Sequence, residues 1–147
     1  MTPARLAAQA LALVPPDARP IAVVSPGLPA LCAALAASAA VAGDGDAPRA
    51  AVVAFLGAPA RPAERQSVLR ALERWLPTGA PLVVVDHNQP RTWWRRAIGV
   101  LRLACRGLGA GRARYPAARE VAALGFHVER LCLTAGEGIQ LVVARRS

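Results

Sequence analysis

Apolar residues in this chain fall into short runs separated by polar, proline-rich or glycine-rich breaks. Residues 3–14 place Leu6, Ala10, Leu13 and Val14 at helical spacing, and Pro15 and Pro16 close that helix. Ile21–Val24 is short and wholly apolar, as in a strand covered on both faces of a parallel sheet. Ser25-Pro26-Gly27 turns the chain, and residues 28–39 resume a helix with Leu28, Leu31, Cys32 and Leu35 on one side. Ala51–Leu56 predicts a second buried strand and Leu82–Asp86 a third. Between them, residues 63–76 predict an amphipathic helix. Its apolar side carries Val68, Leu69, Leu72, Trp75 and Leu76, and Glu64, Arg65, Arg70, Glu73 and Arg74 face mainly outwards.

After Pro90 a further helix runs to about Gly107, followed by a Gly/Arg-rich loop to Arg114. Residues 116–124 form a short helix ending at Gly125. Phe126–Leu133 and Ile139–Ala144 read as strands, and the Gly-rich link Thr134–Gly138 makes them a hairpin. Alternating strands and helices predict an α/β domain with a mostly parallel sheet, helices on both faces and a C-terminal antiparallel hairpin. No internal repeat interrupts residues 1–147, which read as a single domain.

Composition sharpens this picture in three places. Hydrophobic residues make up 54% of the 147, enough for one sizeable core and too many for a disordered tail. The net charge is +9, and all eighteen basic residues are arginine. A GC-rich genome explains that bias most simply; an anionic partner is the functional alternative. Aromatics at 4% argue against a base-stacking surface. Cys32, Cys105 and Cys132 lie far apart in apolar runs and form no C-x-x-C, so neither a metal site nor a redox dithiol is expected. Three buried thiols suit a reducing compartment, which points to the cytoplasm. No apolar run approaches the ~20 residues of a spanning helix, and residues 3–14 read as a first helix rather than a signal peptide.

The stretch Leu72-Glu-Arg-Trp-Leu-Pro-Thr-Gly-Ala-Pro-Leu-Val-Val-Val-Asp86, then Asp86-His-Asn-Gln-Pro90, then Tyr115 to Gly125-Phe126 and the final pair of strands, carries a family likeness. Residues 51–147 resemble the back half of class I S-adenosylmethionine-dependent methyltransferases. That resemblance implies a Rossmann-like, three-layer α/β/α fold and S-adenosylmethionine as cofactor. The front half, residues 1–50, departs from the family. Where the family has a G-x-G-x-G turn, this chain has Ser25-Pro-Gly-Leu-Pro29, with one glycine and two prolines. No strand ending in an acid appears between residues 30 and 50, so at least one strand–helix unit is shortened or missing.

Ligands of open α/β sheets bind beyond the carboxyl ends of the strands. Those ends nominate Ser25, Gly27, Leu56 and Gly57 for cofactor binding, and the resemblance adds Asp44 or Asp46, which otherwise merely cap a loop. Asp86 and His87 are the best chemical pair, either of them a base for an acceptor hydroxyl or amine, against the blander reading of a polar strand end. Asn88, Trp93, Trp94 and Tyr115 are the nominated substrate contacts, while His127 alternates with Phe126 and is structural. In residues 91–106, Arg91, Arg95, Arg102 and Arg106 share a narrow face beside Trp94, Ile98, Leu101 and Cys105. That helix suits an anionic membrane, the cover of a substrate pocket, or an ordinary core position.

Three readings follow. The first is methyl transfer to a small-molecule acceptor. The second is a non-catalytic relative, a pseudoenzyme that binds a partner or forms a homodimer. The third is an arginine-rich binder of nucleic acid or membrane, which a salt titration would distinguish. The sequence leaves open whether the chain is an active enzyme.

Overall fold

The computed structural model describes residues 2–25, 29–38, 41–42, 47–56, 62–105 and 116–147. Helix α1 (Pro3–Leu11) begins where sequence chemistry allows: Thr2 caps it, its hydroxyl accepting the Arg5 N–H at 3.4 Å, and Pro3 needs no donor in the first turn. It ends at Ala12, before the two prolines are reached. Strand β1 (Ile21–Val24), helix α2 (Pro29–Ser38), strand β2 (Ala50–Ala54), helix α3 (Pro62–Trp75) and strand β3 (Pro81–His87) follow. Helices α4 (Trp93–Cys105) and α5 (Pro116–Ala123) precede strands β4 (Phe126–Thr134) and β5 (Ile139–Arg146). Gly125, at a φ of 86°, takes the left-handed conformation that ends α5.

The five strands form one sheet in the order β1-β2-β3-β5-β4. β1 pairs parallel with β2, and β2 parallel with β3, so the three predicted apolar segments lie side by side with a common carboxyl rim. β5 runs antiparallel to β3 along Pro81↔Arg145 to His87↔Ile139, and antiparallel to β4 on its other side. Alternation sorts the strand side chains into two cores. Val52, Ala54, Val83, Val85, Leu141 and Val143 meet α1 and α2 through Leu6, Ala10, Leu31 and Leu35. Ala51, Val53, Leu82, Val84 and Val142 meet α3 and α5 through Leu69, Leu72, Leu76, Ala117 and Val121.

Two connections leave β1 in opposite directions. After α2, Val41 makes a parallel bridge to Ile21, and the Ala42 N–H donates to the Ile21 carbonyl at 3.0 Å. The chain then returns to the other edge of β1, where the Arg49 N–H donates to the Pro20 carbonyl at 2.9 Å and β2 begins. Among the described residues, Val41 and Ala42 meet the outer edge of β1 at Ile21, and Val23 and Val24 are only half-buried where a strand covered on both faces was expected.

The inward face of α3 differs from the expected one. Arg65, expected outside, is fully buried, and Trp75, expected inside, is 54% exposed. At 100° per residue Arg65, Leu69, Leu72 and Leu76 share one stripe, and Trp75 falls at its flank. A shallow apolar groove of ≈ 390 Å³ opens there, lined by Val24, Val68, Ala71, Leu72 and Trp75. The thiols also differ: Cys105 is exposed, and Cys32 and Cys132 are half-buried. Leu69→Ala should cost about 2–5 kcal/mol of stability in urea denaturation, whereas Trp75→Ala should cost under about 1 kcal/mol.

Candidate functional site

Asp86 and His87 are consecutive on β3 and therefore point to opposite faces of the sheet. Asp86 turns toward α3 and α5 and is fully buried. There the Arg65 guanidinium donates to the Asp86 Oδ2. The same guanidinium donates to Glu120 through Nε at 2.9 Å and Nη2 at 2.8 Å. The remaining Asp86 oxygen accepts the His87 N–H at 2.7 Å. Burial is the largest influence on Asp86 and holds its carboxyl above the ordinary aspartate range, with Arg65 pulling the other way. The guanidinium stays charged, its pKa raised because hydrogen bonds and charge from Glu120 and Asp86 outweigh desolvation. The expectation of Asp86 as a base at the rim is thus corrected: its carboxylate is occupied inside the other face.

His87 goes to the α1/α2 side and packs on Phe55, with ring centroids 4.6 Å apart at 45°. Phe55 leaves β2 at a φ of 55°, while its N–H donates to the Val85 carbonyl at 2.7 Å. The two rings stand at the carboxyl ends of β2 and β3. Leu56 is buried in the core of the α3/α5 face, and Ser25 follows β1 on the same rim.

The link between β4 and β5 clasps this rim. The Asn88 N–H donates to the Gly138 carbonyl and its side-chain amide to the Glu137 carbonyl, each at 2.9 Å. The Glu137 carboxylate accepts the Arg91 N–H at 2.9 Å, and Gln140 donates to the His87 carbonyl at 2.9 Å. Ala135 and Glu137 hold φ values of 53° and 69°, an unusual conformation for side-chain-bearing residues that these bonds help to maintain.

Of the nominated residues, the structure brings Ser25, Leu56, His87 and Asn88 to one rim. Gly27, Asp44, Asp46, Gly57 and Tyr115 lie outside the described residues, as does Arg106. Trp93 and Trp94 stand exposed on α4, so the core-helix reading of that segment fails. His127 is exposed on β4, opposite in direction to buried Phe126. Arg65, Glu120, Glu137 and Gln140 were missed. For Arg65 the signal existed: an arginine at the head of a leucine stripe, with an aspartate at a buried strand end to pair with. A cleft of ≈ 480 Å³ at the opposite end of the sheet, between Arg49, Thr78, Gly79 and Arg145, is remote from the rim. Among the described residues no cluster of histidine, cysteine and carboxylate side chains suits a metal ion, and no helix is long and apolar enough to cross a membrane.

No family model matches the sequence, and no curated relative does. Solved structures share the fold. Mitomycin 7-O-methyltransferase MmcR superposes with a TM-score of 0.65 at 17% identity, over 99% of this chain and 53% of that one. An O-methyltransferase family 2 protein from Planctomyces limnophilus, in complex with apigenin, gives 0.59 at 16% identity, over 88% and 43%. N-methyltransferase NodS from Bradyrhizobium japonicum gives 0.58 at 12% identity, over 97% and 94%. The chain spans about half the length of the first two. The chain shares the fold of these methyltransferases.

Removing the buried cation tests the Asp86 environment. Arg65→Leu should cost about 3–5 kcal/mol at neutral pH, because Asp86 is left charged and unpaired. Asp86 binds its proton more tightly folded than unfolded, so its ionisation works against the fold as pH rises above the ordinary value. The deficit of Arg65→Leu should therefore shrink as pH is lowered, which urea denaturation across pH checks.

Proposed function

We propose that this chain, built on the class I methyltransferase fold, binds S-adenosylmethionine at the rim where β1 and β2 end and passes its methyl group to a small acceptor. The observation that carries this reading is the reversal at β1. One connection leads outward to Val41 and the next inward to β2, which makes the gap between their carboxyl ends a topological switch point. Ser25 stands on one side of that gap, and Phe55 and Leu56 on the other.

The described residues match part of a cofactor cradle. Ser25 stands at the end of β1, and Phe55 sets an apolar ring at the end of β2. They supply no carboxylate for the ribose hydroxyls, a part left to Asp44 or Asp46, and Gly27 and Gly57 would admit close backbone approach. When bound, the cofactor supplies a methyl group on a positively charged sulfur, open to in-line displacement. His87 then accepts the proton of the acceptor's hydroxyl or amine, its ring steadied by Phe55 and its backbone by Gln140. Asn88 and the clasp of Glu137 keep the β3 end in place for that step.

Calorimetry with S-adenosylmethionine and with its demethylated product tests the reading: heat of binding is expected, and no heat with either at high micromolar cofactor refutes it. His87→Ala should lower kcat by about 10²–10⁴-fold and leave cofactor affinity within about twofold. An unchanged kcat would remove His87 from the reaction.

A second reading, a non-catalytic homodimer, is favoured by the apolar groove at Val24 and Trp75, beside the edge of β1 that only Val41 and Ala42 meet among the described residues. A clean monomer in light scattering would count against it.

A further inference from the structure

Helix α4 leaves the rim, and among the described residues it meets its own chain only near the β4–β5 turn, where Arg95 lies by Gly136; every described side chain from Trp93 to Cys105 is exposed. These residues are not randomly arranged. At 100° per residue, Val100, Trp93, Ala104, Ala97, Leu101, Trp94, Cys105 and Ile98 fill one continuous arc of about 160°. Trp93 is 80% exposed and Leu101 64%. Arginines stand at both borders of the arc, Arg95 and Arg102 beyond Ile98 and Arg96 beyond Val100.

The charge along this stretch of sequence has one sign. Between Asp86 and Glu120 the sequence holds eight of its eighteen arginines and no acidic residue. Arg91 is tied at its backbone to Glu137, the acid that packs against the start of this segment, and the Arg95 guanidinium lies 5.0 Å from the Trp94 ring centroid.

We propose that α4 is a membrane-surface anchor that lays its tryptophan–leucine arc into an anionic lipid interface while its arginines meet the headgroups. The arc is apolar enough to insert, and its arginine borders are placed to reach upward to phosphates as long side chains do at an interface. At 13 residues the helix is about 20 Å long, too short to cross a bilayer core and long enough to lie in its surface. Nucleic acid would use the arginines but leave both tryptophans and Leu101 in water. A second copy of the chain would bring another uniformly cationic helix to the same face. Anionic lipid satisfies both halves of the helix at once. The inference does not depend on cofactor binding, because its readout is partition rather than activity.

The test is co-sedimentation of the full chain with vesicles of phosphatidylcholine, with and without phosphatidylglycerol. Partition is expected only with phosphatidylglycerol, weakening as salt rises. Each arginine near an anionic surface strengthens partition about fivefold, so Arg95→Gln with Arg102→Gln should weaken it about thirtyfold. Trp93→Ala should weaken it roughly tenfold. Far-UV circular dichroism and the urea midpoint should not move for these exposed positions. In a Trp75→Phe background, lipids brominated in their acyl chains should quench the remaining tryptophan fluorescence. The proposal is overturned by no partition, by partition equal on neutral vesicles, or by partition indifferent to the arginine changes. Duplex DNA bound more tightly than phosphatidylglycerol vesicles would also overturn it. So would a lipid-free dimer in light scattering that Leu101→Arg dissolves, which would give the face to a second copy.

Discussion

An aspartate at the end of a central strand is costly to bury, and this fold buries Asp86 completely. What makes that tolerable is Arg65, which reaches it from α3 and at the same time grips Glu120 of α5 with two of its nitrogens. Three elements far apart in sequence are tied at one point. The net contribution of such a cluster to stability is small, because desolvation offsets most of the attraction. Its effect is on registry: sliding α3 by one turn would carry the guanidinium away from Asp86 and leave a bare charge inside. The depth of α3 against the sheet, and hence the placing of the β2–β3 connection, follows from that pairing.

Committing Asp86 to one face decides what the other face can do. His87, the next residue, must point to the α1/α2 side, where Phe55 meets its ring. The carboxylate and the imidazole, adjacent in sequence, are chemically separated by the sheet itself. The rim is then steadied from the antiparallel side, since Asn88 and Arg91 are held by the β4–β5 turn and the His87 carbonyl by Gln140. A strand end held in this way is fixed in place, and that costs the left-handed backbone of Ala135 and Glu137.

The strands were legible in the sequence because buried parallel strands are continuous apolar runs; Ile21–Val24 appears with the bounds read from it, and the second and third differ by a residue or two at their ends. The inward face of α3 was not, for a specific reason. A charge is ordinarily assigned to solvent, and assigning Arg65 outward rotated the stripe far enough to put Trp75 inside. Helical spacing alone favours the Arg65–Leu69–Leu72–Leu76 line, and the conflict between spacing and polarity was itself the clue. The exposure of α4 was one of three readings the sequence left open, since its apolar positions look like those of any core helix until their cover is sought. Residues Glu137 and Gln140 carried no local signal, because their roles arise from a turn folding back on β3 across some fifty positions.

Among the described residues the outer edge of β1 meets Val41 and Ala42, and the routing there bears on two things, the crevice beside β1 and the reach of the outer segment. The two weigh differently. A crevice at a switch point depends on the direction in which the chain leaves β1, and a single bridge preserves that direction as well as a full strand does. A carboxylate placed at the tip of the outer strand depends on that strand's length, since each residue removed draws the tip back by about 3.3 Å. Val41 and Ala42 therefore set the direction of the chain beside the crevice, while neither brings a carboxylate to its edge.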